Sequence, residues 1–382
     1  MTILIAPDKF KGSLSAREVA ENIALGLRDV LPGAKIDIVP MADGGEGTAE
    51  VIFGALHGSW VKCSAHDPLG RQIEAHYAWI ASCKLAVMEM SEAAGMRRLA
   101  ENGRDPLRAN TFGVGEMLLD AAQRGAEEII IGLGGSATND GGCGMARALG
   151  FRFFAGDKEL TGDVRELQKL TRIQAPGAAG VPLASSTSQP ARLPPQLRII
   201  AAVDVRNPLL GTNGATYVFG PQKGVTPDKI DVLEGALTNL ADVVSKDLGV
   251  DYHNEAGAGA AGGLGFGLRS FCGAKIRPGF NVVAESIDLE SKMKGADVVI
   301  TGEGSLDRQT LEGKTPAGVA RLTRKLGKPV FAMVGRASED RKVREIFDDV
   351  YVLAQPEMSE KENMTRAAEF LREKARQLAK RL

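Results

Sequence analysis

The sequence contains no run of eighteen apolar residues, so no membrane-crossing helix is expected. Its first seven residues lack a basic stretch and meet Asp8 and Lys9 at once, which reads as a first strand rather than a secretory signal. Cysteine is sparse: Cys63, Cys83, Cys143 and Cys272 are far apart and make no C-x-x-C pair. Free thiols in a reducing cytoplasm are the expectation, and the localisation is read as cytoplasmic. The histidines His57, His66, His76 and His253 have no zinc-ligand spacing, so a transition-metal site is not expected. The net charge is −1 with no basic run, so nothing favours nucleic acid, and an anionic ligand would need local lysines and arginines.

With 44% apolar and 25% charged residues the chain has the composition of a globular protein, and 382 residues is long for one core. Two domains are expected. The densest signal is Glu127-Glu128-Ile129-Ile130-Ile131-Gly132-Leu133-Gly134-Gly135-Ser136-Ala137-Thr138-Asn139-Asp140-Gly141-Gly142. Three β-branched residues in a row read as a buried strand, followed by a glycine turn and a helix from Cys143. Such a turn offers backbone N–H groups to an anion, and Ser136 and Thr138 add hydroxyls. An ordinary turn with Asn139 or Asp140 as helix cap would leave the same trace.

The same construction recurs. Residues 2–6 form a strand ending in Pro7-Asp8-Lys9-Phe10-Lys11-Gly12-Ser13, before a helix with Leu14, Val19, Ile23 and Leu27 on one face. Residues 35–39 run into Asp43-Gly44-Gly45-Glu46-Gly47-Thr48, and 297–301 into Gly302-Glu303-Gly304-Ser305-Leu306-Asp307. Residues 61–63, 71–80 and 84–90 read as strands of antiparallel character. Residues 197–203 form another buried strand, ending at Asp204-Val205-Arg206, and 227–248 and 361–382 read as helices. Residues 175–196 hold little that can pack and read as an exposed excursion. The expected architecture is α/β: a parallel-sheet, Rossmann-like domain built from both chain ends (1–60 and 285–382), with an inserted second α/β domain (61–284) carrying the glycine-rich loop.

In open parallel sheets ligands sit beyond the carboxyl ends of the strands. If these turns share a rim, it carries Asp8, Lys9, Lys11, Asp43, Glu46, Asp140, Asp204, Arg206, Glu303 and Asp307. Carboxylates in excess, beside an anion cradle, suit a hydrated Mg²⁺ and the phosphates of a nucleotide. Other motifs compete. Glu312-Gly313-Lys314-Thr315 ends like a phosphate-binding loop, but that pattern needs glycine at 308 and finds Arg308. Gly257-x-Gly259-x-x-Gly262 has dinucleotide spacing with no strand before it, and reads as a helix start in close backbone contact. Gly132-x-Gly134-x-x-Ala137 does follow a strand, and Asp157 lies at the distance of a ribose-binding acid. The alternative is therefore an NAD(P)-dependent oxidoreductase acting on a small hydroxy acid.

The turns at 7–13, 42–48, 132–142, 204–209, 219–224, 257–265 and 301–310, in this order, resemble the motif series of the type I glycerate kinases of bacteria. That resemblance implies ATP-dependent phosphorylation of D-glycerate with Mg²⁺, usually to 2-phosphoglycerate, in a two-domain α/β fold with its active site in a cleft. On this reading Gly134, Gly135, Ser136 and Thr138 cradle phosphate, and Asp43 and Asp204 hold Mg²⁺. Lys9, Lys11 and Arg206 neutralise charge, and Asp140 is the general base with Glu303 and Asp307 as alternates. The expected partners are glycerate and nucleotide only, with no nucleic acid or membrane, and the chain acts as a monomer or homodimer.

Overall fold

A computed structural model describes residues 1–177, 193–311 and 313–382. Most of the stretch expected as an exposed excursion, 178–192, lies outside the described residues. The chain divides into two compact units, Met1–Leu56 with Pro278–Leu382, and His57–Arg277.

The first unit is a five-stranded sheet in the order Asp349–Val352, Val330–Ala337, Val298–Leu306, Thr2–Ile5, Lys35–Ile38. Every neighbouring pair is parallel. Ile3, Leu4 and Ile5 are wholly buried, as expected of a parallel strand covered on both faces. Chain order runs outward in both directions from the central pair, Thr2–Ile5 against Val298–Leu306. That reversal opens a crevice beyond their carboxyl ends, the usual ligand position in such sheets. Helix Ala16–Arg28 starts with a capping box, Ser15 and Glu18 each satisfying the other's backbone N–H. Its Val19, Ile23 and Leu27 are buried in one core with Phe370 and Leu371 of the terminal helix Ala367–Ala379. Gly26 allows that approach, since a Cβ there would lie 2.3 Å from the Arg372 carbonyl oxygen. The single C-terminal helix read from the sequence is two, Glu360–Thr365 and Ala367–Ala379, broken at Arg366, whose φ and ψ are −96° and 9°.

The second unit holds a six-stranded sheet in the order Lys275–Pro278, Arg198–Val203, Glu128–Gly132, Leu85–Glu89, Gln72–Ile80, Ser59–His66. The three middle strands are mutually parallel and the last two pair antiparallel. A small antiparallel sheet, Arg152–Ala155 with Lys158–Glu159 and Arg172–Gln174, stands apart. Helix Pro227–Leu248 buries Leu233, Leu237, Leu240 and Val244 at helical spacing. The run expected to open a helix at 257 begins instead at Ala260, and Ala261, Gly262 and Gly263 are left-handed within it. The cause is contact: a Cβ on Gly262 would lie 1.9 Å from the Thr138 carbonyl oxygen, so this segment lies backbone to backbone against the glycine loop.

Candidate active site

In the first unit, Asp8, Lys9, Lys11, Asp43, Glu303 and Lys314 line one cavity of about 650 Å³. Sequence order is no guide to this grouping; strand order is. Asp8 follows the strand Thr2–Ile5 and its N–H donates to the Gly302 carbonyl at 2.8 Å, so it sits one strand from Glu303 at the reversal of the sheet. Both acids are buried. Burial, then the nearby Asp43 charge, pushes the Asp8 carboxyl up to about 7, although Thr315 Oγ1 donates to Asp8 Oδ2 at 2.7 Å. Burial likewise pushes Glu303 up to about 7 against a 2.6 Å bond from Thr310 Oγ1 and the Lys314 charge. Asp43 is half-buried and its Oδ1 accepts from Gly45 N at 3.2 Å. Lys9 Nζ donates to the Glu46 carbonyl and lies 3.8 Å from the Glu46 carboxylate. Asp307 borders a separate shallow depression with Arg308, Ser338 and Asp340, within charge range of Glu303.

In the second unit the loop after Glu128–Gly132 has two parts. Its tip is exposed at Gly135, and among the described residues the N–H groups of Gly134, Gly135 and Ser136 meet no acceptor. Further along, N–H groups hold the loop to its surroundings and to itself: Ala137 N reaches Ala94 O, Gly141 N reaches Gly262 O, and Gly142 N and Gly144 N reach Asp140. Thr138 is wholly buried, and its Oγ1 meets no hydrogen-bond partner among the described residues.

Asp140 differs from the expected base. Its carboxylate is buried, and Oδ2 accepts from Thr111 N, Thr111 Oγ1 and Gly144 N at 2.8, 2.8 and 2.9 Å, while Oδ1 accepts from Gly142 N at 3.2 Å. An acid so engaged joins the helices Phe112–Gln123 and Cys143–Ala148 and presents no oxygen to a substrate hydroxyl. Burial raises its pKa and these four donors oppose the rise. Beside it, Lys223 is buried, donates from Nζ to the Thr138 carbonyl at 2.8 Å, and is pushed down to about 7 by burial, with the Asp140 charge opposing. Asp204 and Arg206 are exposed where Arg198–Val203 ends.

A sequence model described as the glycerate kinase family matches residues 3–382. The chain belongs to the glycerate kinase family. It is 41% identical to a glycerate kinase of Halalkalibacterium halodurans over 99% of this chain and 97% of that one. It is also 41% identical to the glycerate 2-kinase of Escherichia coli K12, over 89% and 86%. A crystal structure provisionally assigned as glycerate kinase 2 from Salmonella typhimurium LT2 superposes with a TM-score of 0.84 at 40% identity, covering 99% and 97%. The chain is thus an enzyme, a kinase. The oxidoreductase alternative fails on context: after Gly132 the helix starts only at Cys143, and Asp157 is exposed in a hairpin turn of the separate small sheet. Among the described residues no helix is long and apolar enough to cross a membrane.

Of the expected residues, Lys9, Lys11, Asp43 and Glu303 share the first unit's cavity, while Gly134, Gly135, Ser136, Thr138, Asp140, Asp204 and Arg206 belong to the second unit. Sequence reasoning passed over Lys314 and Thr315. They were set aside with the failed phosphate-loop match, yet Lys314 lines the cavity and Thr315, first residue of helix Thr315–Lys325, holds Asp8. The signal available was a Lys-Thr pair opening a helix after a strand and turn. Lys223 was visible only as part of the turn 219–224.

Proposed function

We propose that the chain transfers the γ-phosphoryl group of ATP to D-glycerate, giving 2-phosphoglycerate and ADP with Mg²⁺ as cofactor. The observation that carries this reading is the cavity in which Asp8, Asp43 and Glu303 stand with Lys9, Lys11 and Lys314 at the reversal of a parallel sheet. Phosphoryl transfer asks a protein mainly for positioning and charge stabilisation, and such a set of acids and cations supplies both. The names of the relatives point to glycerate as acceptor.

The donor set suits magnesium. That ion takes one or two carboxylates and completes its shell with water and phosphate oxygen. Asp8 and Asp43 meet the demand, since their mutual repulsion is what a dication would relieve. When bound there, magnesium would neutralise charge on the phosphates. Asp204 and Arg206, exposed where the second unit's strand Arg198–Val203 ends, are the acid and the cation that unit offers to a hydrated ion and to an anion.

The remaining roles fall to the protein's own side chains. Glu303, with a pKa near neutrality, accepts the proton of the glycerate hydroxyl, a task for which a base poised near the working pH is best. Asp307 modulates it by charge. Lys9, steadied by Glu46, and Lys11 and Lys314 neutralise phosphate or carboxylate charge. At the tip of the second unit's loop, Gly134, Gly135 and Ser136 have N–H groups to spare for an anion. Asp140 and Lys223 shape that loop from beneath and take no part in proton transfer.

Incubation with ATP, Mg²⁺ and D-glycerate, followed by phosphorus NMR, tests the proposal. A 2-phosphoglycerate resonance appearing with ADP is expected. The 3-phospho isomer would reassign the hydroxyl, and absence of ADP would overturn the reading.

A further inference from the structure

We propose that the part of the first unit's cavity bounded by Leu353, Pro356, Met358 and Met364 is a nucleoside subsite, which takes the purine and ribose of the phosphoryl donor; this rests on the kinase reading above. The cavity, about 650 Å³, falls in the range of pockets that enclose ligands of nucleotide size and far exceeds what a three-carbon acid fills. Its lining changes character across the sheet. Glu303 lies in one of the two central strands and Asp8 just beyond the end of the other. Leu353 and Ala354 directly follow the outermost strand on that side, tied by their N–H groups to the Val334 and Gly335 carbonyls of the strand between. Glu303 pairs with Val334 in register, so Leu353 lies two strands from Glu303, about 10 Å at the usual strand spacing. A ligand with a polyanionic tail and a flat apolar head matches that gradient. Glycerate, polar at every carbon, matches only the acid-and-cation part.

The apolar wall is built in advance. Asn363 clamps the turn that carries it: Oδ1 accepts from Gln355 N at 2.8 Å, and Nδ2 donates to the carbonyls of Gln355, Met358 and Ser359 at 3.1, 3.2 and 3.2 Å. Ser13 Oγ donates to the Met364 carbonyl at 2.6 Å and fixes the facing side. Thioethers pack well on aromatic faces, and Met358 and Met364 offer two of them. Gln355 Nε2 donates to the Leu353 carbonyl at 2.9 Å. Its side-chain oxygen, which meets no donor among the described residues, can accept from the exocyclic amine of adenine.

Two variants of the full chain test this. Ala354→Phe fills the apolar part, and Met364→Glu puts a negative charge at its partly exposed rim, where folding is least threatened. Affinity for ADP is read by calorimetry without glycerate, and KM for ATP and for D-glycerate are read separately. Both variants should weaken ADP at least tenfold and raise KM for ATP in step, with KM for glycerate within about threefold of wild type. Wild-type ADP affinity in both variants, a rise confined to KM for glycerate, or no ADP binding to the wild-type chain would each overturn the assignment. The two readings fail separately. ADP binding lost in the variants with no glycerate turnover by wild type would sink the reaction and keep the subsite. Glycerate turnover with undiminished ADP binding would do the reverse.

Discussion

Replacing Asp140 by asparagine separates a scaffold from a base. The carboxylate accepts four hydrogen bonds, three of them at Oδ2. An amide keeps those three if its oxygen takes the Oδ2 position, but they lose their charge assistance, about 1 kcal/mol each. Its NH₂ then faces the Gly142 N–H, donor against donor, which costs a further ~1–3 kcal/mol for the unmade bond. Relief of the burial cost that raises the acid's pKa offsets part of this. The net expectation is a loss of about 2–4 kcal/mol in unfolding free energy. Asp140→Ala should cost more, because no acceptor is left for any of the four donors. Urea denaturation gives the stability, and turnover normalised to folded protein gives the chemistry. Scaffold behaviour is a clear drop in stability with kcat per folded molecule within about tenfold. A kcat down by about a thousandfold at unchanged stability is what loss of a general base would give, and it would refute the argument.

Glu303→Gln should lower kcat by about 10²-fold or more. In wild type, kcat should climb as pH rises through about 7, because only the ionised carboxylate accepts a proton; the variant should lack that limb. Lys223→Met addresses the buried ammonium. With its pKa lowered from 10.5 to about 7, the folded state holds fewer protons than the unfolded one between those values, so wild-type stability gains from this group as pH rises across that window. Chemical denaturation at pH 7.5 and 9.5 should show a shallower gain in the variant; an equal gain would remove Lys223 from the account. Gly26→Ala places a methyl 2.3 Å from the Arg372 carbonyl oxygen and should cost about 1–3 kcal/mol, read as a lowered melting temperature with activity of the folded fraction retained.

Periodicity carried the elements well where burial is simple. Ile129, Ile130 and Ile131 form the strand they suggest, and Leu233, Leu237, Leu240 and Val244 form the buried face of the helix expected at 227–248. Periodicity says nothing about the direction a side chain takes in a loop of small residues. Asp140 turns inward to four donors, while Asp43, in a similar acid-glycine turn, lines a cavity. That difference comes from what packs beneath each loop, here Thr111 and the strained segment at 261–263. The same limit hid Lys223, since a lysine in a glycine turn carries no mark of burial. Lys314 and Thr315 were missed for another reason. A fixed spacing rule rejected them, whereas the cavity needs only a cation and a hydroxyl at the start of a helix. The break at Arg366 has no sequence signal as strong as a proline or glycine.

The central pair of the first sheet joins Ile3 to Val298, so one edge of the strand Thr2–Ile5, whose other edge pairs with nearby Lys35–Ile38, meets its partner only after about three hundred further residues have been made. At ordinary elongation speeds that delay is about 15–60 s. His57–Arg277 is continuous and can consolidate during the interval. Nascent chains therefore carry an apolar Ile-Leu-Ile strand with one edge unpaired for most of synthesis. Translation pace and chaperone supply, more than equilibrium stability, then set how much of this protein a cell recovers in active form.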